Sequence, residues 1–141
     1  MIKVMIALRG RLYSEGLKSL IENAAGGVEV AGVAEDDEHP YALAERLRPE
    51  VILTDTKTIK AAFPIGAPDG SRLIVIGSDG EDLADLILNG TVCGALHDSS
   101  GSLTLETAIR AVSMGVVWFE GARAKREDIV CHSERSEESR V

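Results

Sequence analysis

The feature that most constrains this chain is a repeated exchange between two apolar patterns. Short runs rich in β-branched residues are followed by longer stretches whose apolar residues recur every three or four positions. A continuous apolar run of about four to eight residues suits a strand buried on both faces, and the longer spacing suits a helix with one apolar side. Their regular exchange predicts a parallel sheet covered by helices on both faces. The runs predict strands at Lys3–Leu8, Val28–Ala34, Val51–Thr54, Leu73–Ile76 and Cys93–Leu96. Between them, Tyr13, Leu17, Leu20 and Ile21 give the first helix its apolar residues, Leu83, Leu86 and Ile87 the fourth, and Leu105, Ala108, Ile109 and Val112 the fifth.

Punctuation agrees with period. Gly26-Gly27 closes the first helix, Pro49 follows the second, and Ser102 or Thr104 is available to cap the fifth. The third helix is the exception, because Pro64, Gly66, Pro68 and Gly70 crowd the stretch between Asp55 and Arg72. That density predicts a loop or a stunted helix of one or two turns after Thr56.

A length of 141 residues fits one α/β domain, and a hydrophobic share of 45% with only 4% aromatic residues requires a core of Val, Ile, Leu and Ala. After Phe119 the apolar residues almost cease, ending in Ser-Glu-Arg-Ser-Glu-Glu-Ser before the last two positions. Such a stretch cannot bury enough surface to order itself, so residues 1–119 are read as the domain and 120–141 as a polar, largely disordered tail. The formal charge of −8 argues against nucleic-acid binding, which needs a clustered basic surface. The apolar opening is broken by Lys3 and followed by Arg9 and Arg11, too short for a signal sequence or a membrane span, and the expected location is cytoplasmic. Cys93 and Cys131 are expected to be free thiols. Cys131-His132 offers only half of the four ligands that zinc takes, so no metal site is expected.

Several stretches resemble the receiver domains of NarL/FixJ-type response regulators. They are Ile2-Lys3-Val4-Met5-Ile6-Ala7 followed by Glu15-Gly16-Leu17, then Val28-Glu29-Val30-Ala31-Gly32-Val33-Ala34, and Arg48-Pro49-Glu50-Val51-Ile52-Leu53-Thr54-Asp55. Arg72-Leu73-Ile74-Val75-Ile76 is similar to that family's fourth strand. The run from Ala108 through Ser113-Met114-Gly115 to Trp118 is similar to its fifth helix and exit. The resemblance implies a CheY-like, flavodoxin-like (βα)5 fold of three layers with strand order 2-1-3-4-5 and its functional crevice at the carboxyl ends of the strands. It further implies a two-component, phosphorelay context in which Asp55, at the end of the third strand, stands at the phospho-acceptor position. The helix-turn-helix output domain usual in that class needs roughly 60 residues, more than follow Phe119, and is expected to be absent.

The resemblance breaks where the chemistry lies. A carboxylate approaching a phosphoryl group meets negative charge, which a divalent cation and a lysine must offset. At the two acidic positions that would hold magnesium stand Leu8 and Arg9. Gly77 stands at the hydroxyl position with Ser78 one step on, Gly94 at the aromatic switch position, and His97 at the lysine position. Magnesium binding is therefore not expected, and an Arg9–Asp55 ion pair is one way to hold the crevice without it.

Plainer readings stand beside these. Asp55 can serve as a polar strand end capped by backbone N–H groups. His97 and Asp98 are adjacent at a strand end and point to opposite sides, which disfavours a dyad. His39 reads as a solvated loop residue, Asp36-Asp37-Glu38 as a solvated acidic loop before the second helix, and Gly77-Ser78-Asp79-Gly80 as turn chemistry rather than an anion site. The expected function is that of a pseudo-receiver: no enzyme, no cofactor, and a signalling module acting by protein–protein contact. One candidate partner is a second copy through the fourth or fifth helix, because Leu103, Val116, Val117, Trp118 and Phe119 form a large apolar end. The alternatives are a conventional phospho-accepting receiver using Asp55 and a small-ligand or anion-binding flavodoxin-like protein.

Overall fold

A computed structural model describes residues 1–24, 26–34, 39–77, 81–97 and 100–119. The elements run β1 (Ile2–Ala7), α1 (Arg11–Ala24), β2 (Val28–Val33), α2 (Pro40–Leu47), β3 (Val51–Thr54), α3 (Thr56–Ala62), β4 (Arg72–Ile76), α4 (Glu81–Leu88), β5 (Gly94–Leu96), α5 (Ser102–Ser113) and β6 (Trp118–Phe119). All the strand pairings are parallel, and the sheet order is β2-β1-β3-β4-β5-β6. The order 2-1-3-4-5 stands as expected, with one strand added at its edge.

Two cores explain why the central strands lack alternation. On one face of the sheet Val4, Ile6, Val51, Leu53, Ile74 and Ile76 pack with Leu17 and Ile21 of α1 and with Leu105, Ile109 and Val112 of α5. On the other, Met5, Ile52, Leu73 and Val75 pack with Leu43 of α2 and Ile59 and Phe63 of the α3 region. Successive residues of a strand point to opposite faces, so a strand with helices on both sides must be apolar at every position. Each large aliphatic side chain so buried contributes about 1.5–3 kcal/mol.

The third helix is the short one expected, seven residues from Thr56 to Ala62, and it is followed by Phe63 as C-cap, whose ring is fully buried, before the Pro/Gly stretch begins. The structure corrects several other local expectations. Neither Ser102 nor Thr104 caps α5: Gly101 occupies the N-cap position and offers no side chain. His39 is more than a solvated loop residue, since it caps α2 by accepting the Tyr41 N–H on Nδ1 at 3.3 Å. Tyr13 and Leu20, counted among the apolar residues of the first helix, are exposed, while Leu17 and Ile21 are buried. Trp118 and Phe119 form β6 against β5, pairing with Gly94 and Ala95, so that part of the apolar end is half-buried within the chain itself. Leu103, Val116 and Val117 remain exposed. No helix among the described residues is long and apolar enough to cross a membrane. The acidic loop Asp36-Asp37-Glu38, Ser78, Asp79, Gly80, Asp98 and the 120–141 tail, with Cys131 and His132, lie outside the described residues.

Candidate functional site

Parallel strands carry their carboxyl ends to one edge of the sheet, and the crevice of such a fold opens where neighbouring strands lead their connections to opposite faces. Here that point lies at β1 and β3, which pair through Ala7 and Thr54. Leu8 and Arg9 follow β1, Asp55 follows β3, Gly77 follows β4 and His97 follows β5, so the fold gathers these positions along a single edge. Gly94 lies elsewhere, at the start of β5 and fully buried.

Asp55 is half-buried with extended backbone and is the N-cap of α3. Its Oδ1 accepts the Thr58 N–H at 2.7 Å, the bond an N-cap carboxylate makes to the third helical residue. Its Oδ2 accepts the backbone N–H of Arg9 at 3.0 Å. Both carboxylate oxygens are thus engaged by main-chain donors, one in α3 and one in the segment leaving β1. Arg9 reaches Asp55 through its backbone, and among the described residues no ion pair joins the guanidinium to that carboxylate. The side-chain pairing considered from the sequence is replaced by a main-chain tie.

Two residues that sequence reasoning passed over hold the neighbouring backbone. Thr54 is fully buried, and its Oγ1 donates to the Ala7 carbonyl at 2.8 Å, from the last residue of β3 to the last of β1. Ser14 is buried in α1, and its Oγ donates to the Leu8 carbonyl at 3.3 Å. A hydroxyl inside an otherwise apolar strand or helix face signals a satisfied buried donor, and Thr54 and Ser14 carry that signal.

The remaining positions are shaped by backbone. Gly77 has φ +81°, and its N–H donates to the Leu96 carbonyl at 2.9 Å, tying the end of β4 to the end of β5. Left-handed backbone of this kind favours glycine over any residue with a Cβ. At Gly94 a Cβ would lie 3.0 Å from the Trp118 carbonyl oxygen, 3.2 Å from Ile74 Cγ1 and 3.3 Å from Val112 Cγ2. The added strand β6 and the core side of α5 thus fill the volume that a side chain here would need. His97 is exposed beyond β5. Among the described residues no group of three or more His, Cys, Asp or Glu side chains is placed to hold a metal ion.

No family model matches this chain, and no curated protein matches it. Solved structures do. A LuxR-family two-component response regulator from Aurantimonas sp. SI85-9A1 superposes with a TM-score of 0.70 at 21% identity, covering 90% of this chain and 97% of that one. The isolated receiver domain of RcsB from Salmonella enterica serovar Typhimurium, in its apo form, gives 0.67 at 20% identity, over 91% and 99%. The receiver domain of the response regulator NarL from Mycobacterium tuberculosis gives 0.66 at 20% identity, over 81% and 97%. The fold is that of response-regulator receiver domains.

Proposed function

We propose that this chain is a receiver-like signalling module that acts by binding protein and does not take up a phosphoryl group on Asp55. The observation that carries the reading is the engagement of both Asp55 oxygens by the N–H groups of Thr58 and Arg9. A carboxylate that attacks phosphorus needs an oxygen lone pair free along the line of attack and a cation to offset the approaching charge. Each Asp55 oxygen keeps a second lone pair, but the two main-chain bonds orient the carboxylate and draw charge from it, and neither Leu8 nor Arg9 supplies an oxygen ligand for a cation that would offset the approaching phosphoryl group.

The donor set at this edge does not suit magnesium, which takes six oxygens in near-ideal octahedral geometry, usually including more than one carboxylate or phosphate. Leu8 and Arg9 bring no side-chain oxygen, and Arg9 brings a positive charge. Gly77 brings no hydroxyl, and Gly94 leaves no aromatic ring that could turn between two states. In this reading the scaffold is retained as a binding surface, without turnover or cofactor, in a cytoplasmic signalling setting.

One receiver structure similar to this chain, that of Salmonella RcsB, was solved in the presence of the phosphomimetic BeF3−, with a TM-score of 0.65 at 19% identity. The same probe tests the proposal here. Thermal melting with magnesium and BeF3− is expected to leave the midpoint where the free chain has it. A concentration-dependent rise that vanishes in Asp55→Ala would overturn the proposal, because a ligand stabilises only the state that binds it.

A further inference from the structure

The chain holds only two side-chain amides, Asn23 and Asn89, and no glutamine. Their local settings differ. Asn23 lies in the last turn of α1, its Nδ2 donates to Ser19 Oγ at 3.3 Å, and the helix continues into Ala24. Asn89 comes directly after α4 and directly before Gly90, and both residues are exposed. A Cβ at Gly90 would meet nothing within 4 Å, and among the described residues no hydrogen bond holds the Asn89 side-chain amide. The backbone here closes α4. The Gly90 N–H donates to the Ile87 carbonyl at 3.1 Å, and the N–H groups of Thr91 and Val92 both donate to the Leu86 carbonyl, at 3.1 and 3.3 Å. With Gly90 at φ +76°, the chain folds back on the last helical turn and turns towards β5. The Cys93 N–H, one residue on, already bonds to the Leu73 carbonyl of β4.

An asparagine followed by glycine is open to attack by its own main chain, one reason that asparagine is thermolabile. The Gly90 nitrogen forms a bond to Asn89 Cγ, the Cγ–Nδ2 bond breaks, and ammonia leaves with the proton given up by the Gly90 N–H. Water then opens the five-membered imide at one of its two carbonyls. The product is aspartate, or isoaspartate, in which the main chain runs through the former side chain. Gly90 has no Cβ to obstruct the ring. An exposed helix end frays at little cost in free energy, and fraying frees the Gly90 N–H from Ile87. Asn23 lacks both aids, since Ala24 sets a Cβ beside it and α1 runs through both residues.

We infer that Asn89 is a self-modification site, where attack by the Gly90 nitrogen turns the amide into an acid and the product loosens the joint between α4 and β5. The new negative charge stands at the C-terminal end of α4, where the helix dipole opposes it, and four residues from Asp85. The isoaspartate form also lengthens the main chain by one carbon just before Gly90, so the bonds from Thr91 and Val92 to Leu86 no longer fit. Such a change is driven by elapsed time and alkaline pH and needs no phosphoryl donor.

Incubation of the full chain for weeks in warm, mildly alkaline buffer tests the inference, with intact mass, tryptic peptides and amide hydrogen exchange as readouts. Most native molecules are expected to gain one mass unit, the exchange of NH2 for OH. The gain is expected in the peptide Leu73–Arg110, which holds Asn89, and not in Ser19–Arg46, which holds Asn23. Asn89→Gln, shown to be folded by far-ultraviolet circular dichroism, is expected to keep its mass, because glutamine would have to close a larger and slower ring. The Thr91 and Val92 amides are expected to exchange faster in the aged native chain than in the fresh one, with the interior strands β3 and β4 unchanged. A native mass that does not move, a gain located at Asn23, or Thr91 and Val92 amides that keep their fresh rate in the modified chain would overturn the inference. None of these results touches the Asp55 reading, which BeF3− binding tests separately.

Discussion

The Asp55 carboxylate binds the main chain of Arg9, 46 residues earlier, at 3.0 Å. Its other oxygen caps α3 through Thr58. One side chain therefore fixes both the start of a helix and the course of the chain as it leaves β1. Asp55→Ala is expected to cost about 1–3 kcal/mol in urea unfolding, through the lost cap and an unsatisfied N–H. Asp55→Asn keeps one good cap acceptor but turns an amide donor towards the other N–H, and falls between the two. Arg9→Ala keeps the backbone donor and is expected within about 0.5 kcal/mol of the native chain. An Asp55→Asn chain more stable than the native one would mean that the carboxylate is held for chemistry at the expense of stability.

Gly94 is fixed by its neighbours. The Trp118 carbonyl at 3.0 Å from a Cβ is backbone held in a strand pairing and cannot swing aside. Gly94→Ala is expected to lower stability by about 1–3 kcal/mol, as for other overpacked sites. A melting curve that overlays the native one would show that β6 does not pack as described.

Restoring a hydroxyl at Gly77 works against its backbone. With φ +81° the residue sits where a side chain costs about 1–2 kcal/mol. Gly77→Ser is expected to be less stable than the native chain by that order and to gain no BeF3− response. Unchanged stability together with a new BeF3− response would mean that the edge needs only this one group to bind a phosphoryl mimic.

Cys93 gives the chain an alkaline sensitivity. Burial pushes its thiol above the ordinary thiol value, with the Arg72 charge and a backbone bond at Leu73 pulling the other way. Below the unfolded thiol value, about 8.5, both states hold the proton and no stability is lost. As pH rises past it the unfolded chain ionises first, so stability falls until the folded thiol ionises as well. Alkylation of Cys93 in a Cys131→Ser background is expected to be slower in the folded chain than in urea at pH 8–9. Equal rates would place the thiol in open solvent.

The strands and both cores were legible because strand burial and helical period are written in consecutive residues, so that Val51–Thr54 could hardly be anything but an interior strand, whereas the sheet order came only from the family resemblance. The extra strand was not legible. Trp118-Phe119 is only two residues long, and nothing local to it says that it will pair with Gly94-Ala95. The glycine at position 94 was read only as a missing aromatic, although its cause is the approach of that strand. At the candidate site, the positions Leu8, Arg9, Asp55, Gly77 and His97 follow from strand ends. The Arg9 N–H bond to Asp55 does not, because a backbone donor has no sequence signature.

The central claim is that Asp55 serves as a structural tie and not as an acceptor. The most direct measurement is the intact mass after incubation with acetyl phosphate, with and without magnesium, for the native chain and for Asp55→Asn. The account predicts an unchanged mass in every case, in a protein shown to be folded. A magnesium-dependent gain of one phosphoryl group that disappears in Asp55→Asn would contradict it and make the chain a working receiver.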